Sequence, residues 1–280
     1  MISLNNTLAI QMKSGHHKAH EVHKPLTFVI STMLAGALIG VADVAMFATA
    51  GPFYATHQPA AMLIAGLAFG VGLILVVTSG SNLATSAMMA LPQAATGKLI
   101  TWRKAALVLL LIFLGNLLGA IALSAIMTGT HVFHGDTPAQ AMLEMLIVAK
   151  SGKSSLALFT RGIMCNVLVC FAIWSQSRTK NDAAKMIVIF LCVAAFISSG
   201  FEHVVANMTT FSLGLMHGMP AATFAEAARN FLFVGLGNLV GGGLLVGGSM
   251  LALSGSIREA AQKAPHISDD GVVTVPSEVQ

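Results

Sequence analysis

The sequence predicts an all-helical integral membrane protein: six spans in two three-span halves of opposite topology, with breaks in the second and fifth spans. Three observations carry this expectation. Of the 280 residues, 55% are hydrophobic and 9% charged, and the mean hydropathy is +0.80. Soluble domains carry about 25% charged residues, so lipid must solvate most of this chain. Apolar residues gather near 26–50, 60–91, 105–128, 157–177, 186–217 and 229–253, each close to or beyond the roughly 20 residues that cross a hydrocarbon core. The second and fifth segments are too long for one straight span, and both are interrupted by glycine and serine.

Residues 1–25 are polar and histidine-rich and are expected to form a cytoplasmic N-terminal helix. They contain no apolar core, so an ordinary cleaved signal peptide is not expected. His16, His17, His20 and His23 fall at helical spacing. Such a cluster suits a transition metal or a pH sensor, but a solvated helix face is the preferred reading, and neither metal nor cofactor is expected. The pore domain covers 26–253. Its second segment breaks at Thr78-Ser79-Gly80-Ser81-Asn82 and its fifth at Ser198-Ser199-Gly200. Gly and Ser weaken a helix interior, and freed backbone groups survive at membrane depth only against protein or a water-filled cavity. The third and sixth segments echo one another in Gly115-Asn116-Leu117-Leu118-Gly119 and Gly237-Asn238-Leu239-Val240-Gly241. Paired interruptions in matching places of two inverted halves point to a central site. Close helix packing at GxxxG spacing, as at Gly36/Gly40, Gly66/Gly70 and Gly115/Gly119, is the plainer alternative. A short amphipathic helix is expected at 138–149, and a polar, mobile cytoplasmic tail over 254–280.

An even number of spans puts both termini on one side. Lys13, Lys18, Lys24, Lys98, Arg103, Lys104, Arg178, Lys180, Lys185, Arg258 and Lys263 share that side, while Lys150, Lys153, Arg161 and Arg229 lie opposite. The positive-inside rule then makes both termini cytoplasmic, in the cell's cytoplasmic membrane. The pI near 9.1 reflects this topology and not nucleic-acid binding. Cys165, Cys170 and Cys192 fall in apolar runs and imply no disulfide framework.

Glu202 and His203 stand side by side in the middle of the fifth apolar segment. An ionisable group at a span centre costs about 2.5–3.5 kcal/mol even on the lenient insertion scale, so such groups mark a pathway, a proton relay or a substrate site. A transporter is the reading that follows, and not an enzyme. A haem-bearing redox subunit needs facing histidines, yet His203 is alone at mid-membrane and His217 sits near a span end. An aquaporin-type channel lacks its half-helix signatures here; the nearest string is Gln58-Pro59-Ala60.

At these residues the chain resembles the formate/nitrite transporter family. The resemblance rests on Arg161-Gly162-Ile163-Met164-Cys165-Asn166-Val167-Leu168-Val169-Cys170 with Ala172 and Trp174, and above all on Gly200-Phe201-Glu202-His203 with Ala206-Asn207-Met208. It covers about residues 20–253 and implies an aquaporin-like protomer with its own pore, assembled as a homopentamer in the bilayer. His203 resembles the central pore histidine, Asn207 its neighbour one turn on, and Thr85 the threonine that faces it. Lys150 falls at the place of the vestibule lysine, with Lys153 close enough to compete; Glu202 and Asn166 complete the expected pathway. Phe69, Leu73, Leu83 and Phe196 match apolar constriction positions. The chain departs at Asn82 and Ala84, where the family usually has Glu and Phe, which touches the constriction and its gate.

The resemblance implies transport of a small monovalent anion with protons as co-partner: formate slightly ahead of nitrite, with hydrosulfide also fitting. A neutral small-solute channel or a pore-fold sensor are the alternatives. On this reading Lys150 concentrates anions by Coulomb attraction. Backbone N–H groups at the breaks and the Thr85, His203 and Asn207 side chains offset lost hydration. His203 takes or passes a proton, and Glu202 braces the break instead of meeting the anion.

Overall fold

The computed structural model describes residues 1–264, 266–267 and 273–274. Helix α1 (Leu4–Glu21) precedes α2 (Pro25–Ala55), α3 (Ala61–Phe69), α4 (Val71–Ser79), α5 (Ala84–Thr96) and α6 (Trp102–Thr128). Then follow α7 (Pro138–Ser151), α8 (Ser155–Gln176), α9 (Asp182–Ser198), α10 (Val204–Met216) and α11 (Phe224–Leu239). A π-helical stretch over Val240–Gly248 leads into α12 (Ser249–Leu253), and α13 (Ile257–Lys263) closes the helical part. His266–Ile267 pairs antiparallel with Val273–Thr274.

Local chemistry sets the boundaries. Ser3, Thr101, Thr137, Ser154, Asn181, Thr223 and Ser256 each cap the helix that follows by accepting a backbone N–H, and Pro25 and Pro138 open α2 and α7. Helices α4 and α9 end where Gly80 and Gly200 turn into the left-handed region, at φ 69° and 68°, a conformation that a Cβ disfavours. Extended residues follow before α5 and α10 begin.

Among the described residues, five helices are long and apolar enough to cross a membrane: Pro25–Ala55, Ala61–Ser79, Trp102–Thr128, Ser155–Gln176 and Phe224–Leu253. The remaining expected segment, 186–217, is divided between α9 and the shorter apolar Val204–Met216. Leu107, Leu110, Leu114 and Leu118 on α6, and Leu232 and Leu236 on α11, are exposed. An outward leucine face of that kind is solvated by lipid or by another apolar surface. The protein is a multi-pass membrane protein.

Two helix pairs form the frame, α2 with α6 and α8 with α11. In the first, a Cβ on Gly119 would strike the Met33 carbonyl and one on Gly115 the Thr32 side chain. In the second, Gly237 and Gly241 lie against the carbonyls of Phe159 and Ile163. Each Gly-Asn-x-x-Gly string thus brings two backbones together where only glycine fits.

The structure differs from expectation in two places. The π-helical run in Val-Gly-Gly-Gly-Leu-Leu-Val-Gly-Gly leaves no period in the sequence, because glycine removes the side chains that would carry one. The segment from 254, expected to be mobile, begins with α13, which packs on α1 and buries Ala260; apart from the strand pair, the rest of that expectation lies outside the described residues.

Candidate functional site

The asparagines of the two Gly-Asn strings hold the extended residues of the breaks. Asn116 Oδ1 accepts the Ala84 N–H at 2.8 Å, while its Nδ2 donates to the carbonyls of Thr32 and Asn82 at 2.8 and 2.9 Å. Asn238 Oδ1 accepts the Val204 N–H at 2.9 Å, and its Nδ2 donates to the carbonyls of Gly162 and Glu202 at 2.7 and 3.0 Å. Both asparagines are fully buried. Of the groups they meet, the Ala84 and Val204 N–H and the Asn82 and Glu202 carbonyls are ones that the breaks leave without helical partners, while the Thr32 and Gly162 carbonyls lie inside α2 and α8.

Between the breaks, Thr85 and His203 meet. Thr85 Oγ1 lies 3.0 Å from His203 Nε2. His203 Nδ1 accepts the Ala206 N–H at 3.1 Å and so caps α10. A nitrogen that accepts carries a lone pair, which places the neutral ring's proton on Nε2, donated to Thr85. The Thr85 hydroxyl proton is then not used in that contact. Phe196 stacks on the His203 ring with centroids 5.8 Å apart, and Phe69 meets Phe196 edge-on at 5.9 Å. Leu73, Leu83 and Ala84 are also buried; Ala84 leaves no exposed gap where a larger side chain was expected.

A cavity lies on either side of this plug. The one on the α7 side has a volume of about 200 Å³ and is lined by Lys150, Lys153, Arg161, Glu202, His203 and Asn207 among others. Lys150 Nζ donates to Glu202 Oε2 and Asn207 Oδ1, both at 2.7 Å. Asn207 Nδ2 donates to Glu202 Oε2 at 2.9 Å and to Asn230 Oδ1 at 2.7 Å. Lys153 approaches Glu202 Oε1 at 3.4 Å; burial holds its ammonium below the ordinary lysine value, with Glu202 opposing. Arg161 Nη1 donates to the Gly200 carbonyl at 2.6 Å, closing the turn. Glu202 is therefore a bracing carboxylate. Lys150 uses two of its three ammonium protons on it and Asn207, and keeps one for the cavity.

The α1-side cavity, about 240 Å³, is lined by Lys18, His17, Leu73, Ser81, Asn82 and Ser86 among others. Lys18 Nζ donates to Asn82 Oδ1 at 2.7 Å, and Asn82 Nδ2 donates to Glu21 Oε2 at 2.5 Å. Glu21 supplies the carboxylate that Asn82 lacks. Burial pulls the Lys18 ammonium down to about 8, with Glu21 acting against it. In the same helix the rings of His16 and His20 stack, and His20 meets His23 just beyond its end. Among the described residues no cluster of three or more His, Cys, Asp or Glu is placed to hold a metal ion.

A family model described as "Formate/nitrite transporter" matches residues 5–252. The chain belongs to the formate/nitrite transporter family. The nitrite transporter NirC of Salmonella typhimurium is 34% identical over 223 residues, covering 79% of this chain and 80% of that protein. A solved structure described as an FNT family ion channel superposes with a TM-score of 0.82 at 31% identity, covering 88% of this chain and 98% of that one. A pentameric formate channel with formate bound gives a TM-score of 0.73 at 32% identity, covering 81% and 96%. These relatives of the family are transporters and channels and not enzymes.

Of the expected site residues of this family member, the structure forms two sets, Thr85 with His203 and Lys150 with Glu202 and Asn207, which adjoin where Glu202 precedes His203 in the chain. Asn166 stands behind it, donating to the carbonyls of Thr85 and Asn238 at 3.1 and 2.7 Å and lining neither cavity. Asp43 and Lys18 line the two cavities, and Asn230 and Glu21 hydrogen-bond to wall residues, without having been expected. Asp43 carried a readable signal, a carboxyl inside an apolar span, by the same rule that singles out Glu202.

Proposed function

We propose that the chain moves small monovalent anions, formate and nitrite first, through one pore per protomer of a homopentamer in the cytoplasmic membrane. The observation that carries this reading is the Thr85–His203 contact at 3.0 Å, set in a buried apolar plug between two cavities that both contain lysine. The matching roles of Asn116 and Asn238, and of the paired glycines beside them, support an aquaporin-like inverted repeat with broken second and fifth spans. Arg178 donates to the Ile2 carbonyl and Lys104 lies 3.4 Å from His23, so the basic loops share the α1 side. That side is the cytoplasmic one under the positive-inside rule.

The lysines gather anions and the plug decides what crosses. Thr85 O–H and His203 Nε2–H are dipoles and not full charges, and Phe69, Leu73, Leu83 and Phe196 give an ion nothing for its lost water. A neutral acid crosses such a plug far more cheaply than its anion, so transport is proton-linked, with the histidine offering a hydrogen bond where the acid crosses. A second proton on His203 must displace the Ala206 N–H from Nδ1 and uncap α10, so the ring is a gate toward acid, while its neutral form offers a hydrogen bond from Nε2.

Anion flux into liposomes carrying the protein, formate against nitrite under inward proton gradients, tests this. Flux that rises with the gradient is expected, and His203→Phe should change both its pH dependence and the net charge moved. No flux of either anion would leave a sensor. The α1 side adds its own pH dependence. Lys18 is cationic below about 8 and loses its charge as pH rises through that value. Anion entry from the α1 side is expected to weaken over that range, and Lys18→Gln to abolish the dependence; a variant with an unaltered profile would show that Lys18 attracts nothing.

A further inference from the structure

We propose that Asp43 is the proton-exchange group of the α7-side cavity and selects anions that are conjugate bases of weak acids; this rests on the anion-transport reading above. Asp43 sits on α2, is 1% exposed, lines that cavity, and its Oδ2 is buried without a hydrogen-bond partner. Glu202 in the same wall is its opposite, held by Lys150, Lys153 and Asn207. A carboxylate pinned by two cations is a fixture. A buried carboxyl that lines a cavity and has an oxygen without a hydrogen-bond partner is placed to take up and release a proton.

The neighbours leave this role to Asp43. Helices α3 and α4 carry no titratable side chain, and α6 has only Arg103 and Lys104, at its far end. Helix α7 brings Lys150 and the exposed Glu144, with Lys153 after it; α8 brings Arg161. The α9–α10 break brings Glu202 and His203, α10 ends at His217, and α2 itself adds Tyr54. The lysines and Arg161 attract the anion but are poor acids. His203 has its single ring proton on Nε2 and its Nδ1 committed to Ala206. Among the described residues that line the cavity, Asp43 is the carboxyl free to act.

The step balances simply. The O–H bond of protonated Asp43 breaks, its electron pair stays on the carboxyl, and the proton forms an O–H bond on the anion. Neutral acid and an Asp43 carboxylate result. Hydronium from the same aqueous side restores the carboxyl. Formate and nitrite are conjugate bases of weak acids and can accept such a proton, whereas an anion such as chloride cannot. The carboxylate left behind faces Lys150, Lys153 and Arg161 across the cavity, and repels a second anion until it is reloaded.

The test compares wild type with Asp43→Asn in liposomes, reading formate uptake and lumenal pH while the pH on the α7 side is stepped. Wild-type uptake should rise as that side is acidified, whereas Asp43→Asn should stay flat and fall about tenfold or more below wild type at the acid end. Infrared difference spectra over the same steps should show a protonated-carboxyl C=O band that is lost in Asp43→Asn. If that variant does not assemble, Asp43→Glu decides: it should shift the band and keep the pH-dependent rise. An Asp43→Asn profile that follows the wild type, or a wild type without a titrating band, overturns the proposal alone. Absence of formate and nitrite flux in the wild type overturns the transport reading, and this proposal with it.

Discussion

Replacing Asn238 by alanine is expected to destabilise the protein by about 3–5 kcal/mol, among the largest effects of any single substitution near the pathway. The side chain serves three backbone groups at once: the Val204 N–H and the carbonyls of Gly162 and Glu202. Alanine leaves the Val204 N–H and the Glu202 carbonyl unpaired in a buried site and takes a second bond from the Gly162 carbonyl inside α8, and each orphan costs about 1–3 kcal/mol before relaxation. Asn116→Ala should behave alike, since it strands the Ala84 N–H and the Asn82 carbonyl. Asn238→Asp should fall between, because it keeps the acceptor for Val204 and loses the donors. Unfolding in mixed micelles measures all three. A loss under about 1 kcal/mol for the alanine variants would mean that the breaks hold themselves, and that the asparagines are incidental.

Lys150→Met should act on stability and on transport by separate routes. Glu202 is 2% exposed, and its near partners are Lys150 at 2.7 Å and Asn207 at 2.9 Å, with Lys153 at 3.4 Å. Removing one partner of a buried ion pair costs about 3–5 kcal/mol, because the other charge is left uncompensated. Lys153 shifts the outcome to the lower end of that range. Anion entry from the α7 side should drop about tenfold with the loss of the local positive charge. The double variant Lys150→Met/Glu202→Gln separates the routes. It removes the stranded carboxylate and should regain most of the stability, yet flux should remain low because the attracting cation is still absent. Recovery of flux together with stability would show that Lys150 only braces Glu202 and has no hand in gathering anions.

Much of the fold is written in short windows of the chain. Helix starts at Thr101, Thr137, Ser154, Asn181 and Thr223 coincide with capping side chains, and the two breaks before α5 and α10 coincide with Gly80 and Gly200 at positive φ. These are local effects, decided by a residue and its immediate neighbours. The candidate site was legible where the chain breaks its own rule, as at Glu202 and His203 inside an apolar run. Asp43 breaks the same rule singly and is easier to overlook. Thr85 carries no such signal, since a threonine is unremarkable in a span; only the resemblance pointed to it.

The sequence by itself determined the membrane class, the apolar segments, the two glycine turns and the family, because hydropathy and backbone sterics act within about twenty residues. The tertiary structure alone decided who meets whom. Thr85 reaches His203 across 118 positions, Lys18 reaches Asn82 across 64, and Lys150 reaches Glu202 across 52. It also turned the Gly-Asn strings, a faint echo along the chain, into anchors of both breaks. Partnership between distant side chains depends on the directions in which packed helices present them, and no window of sequence contains that geometry.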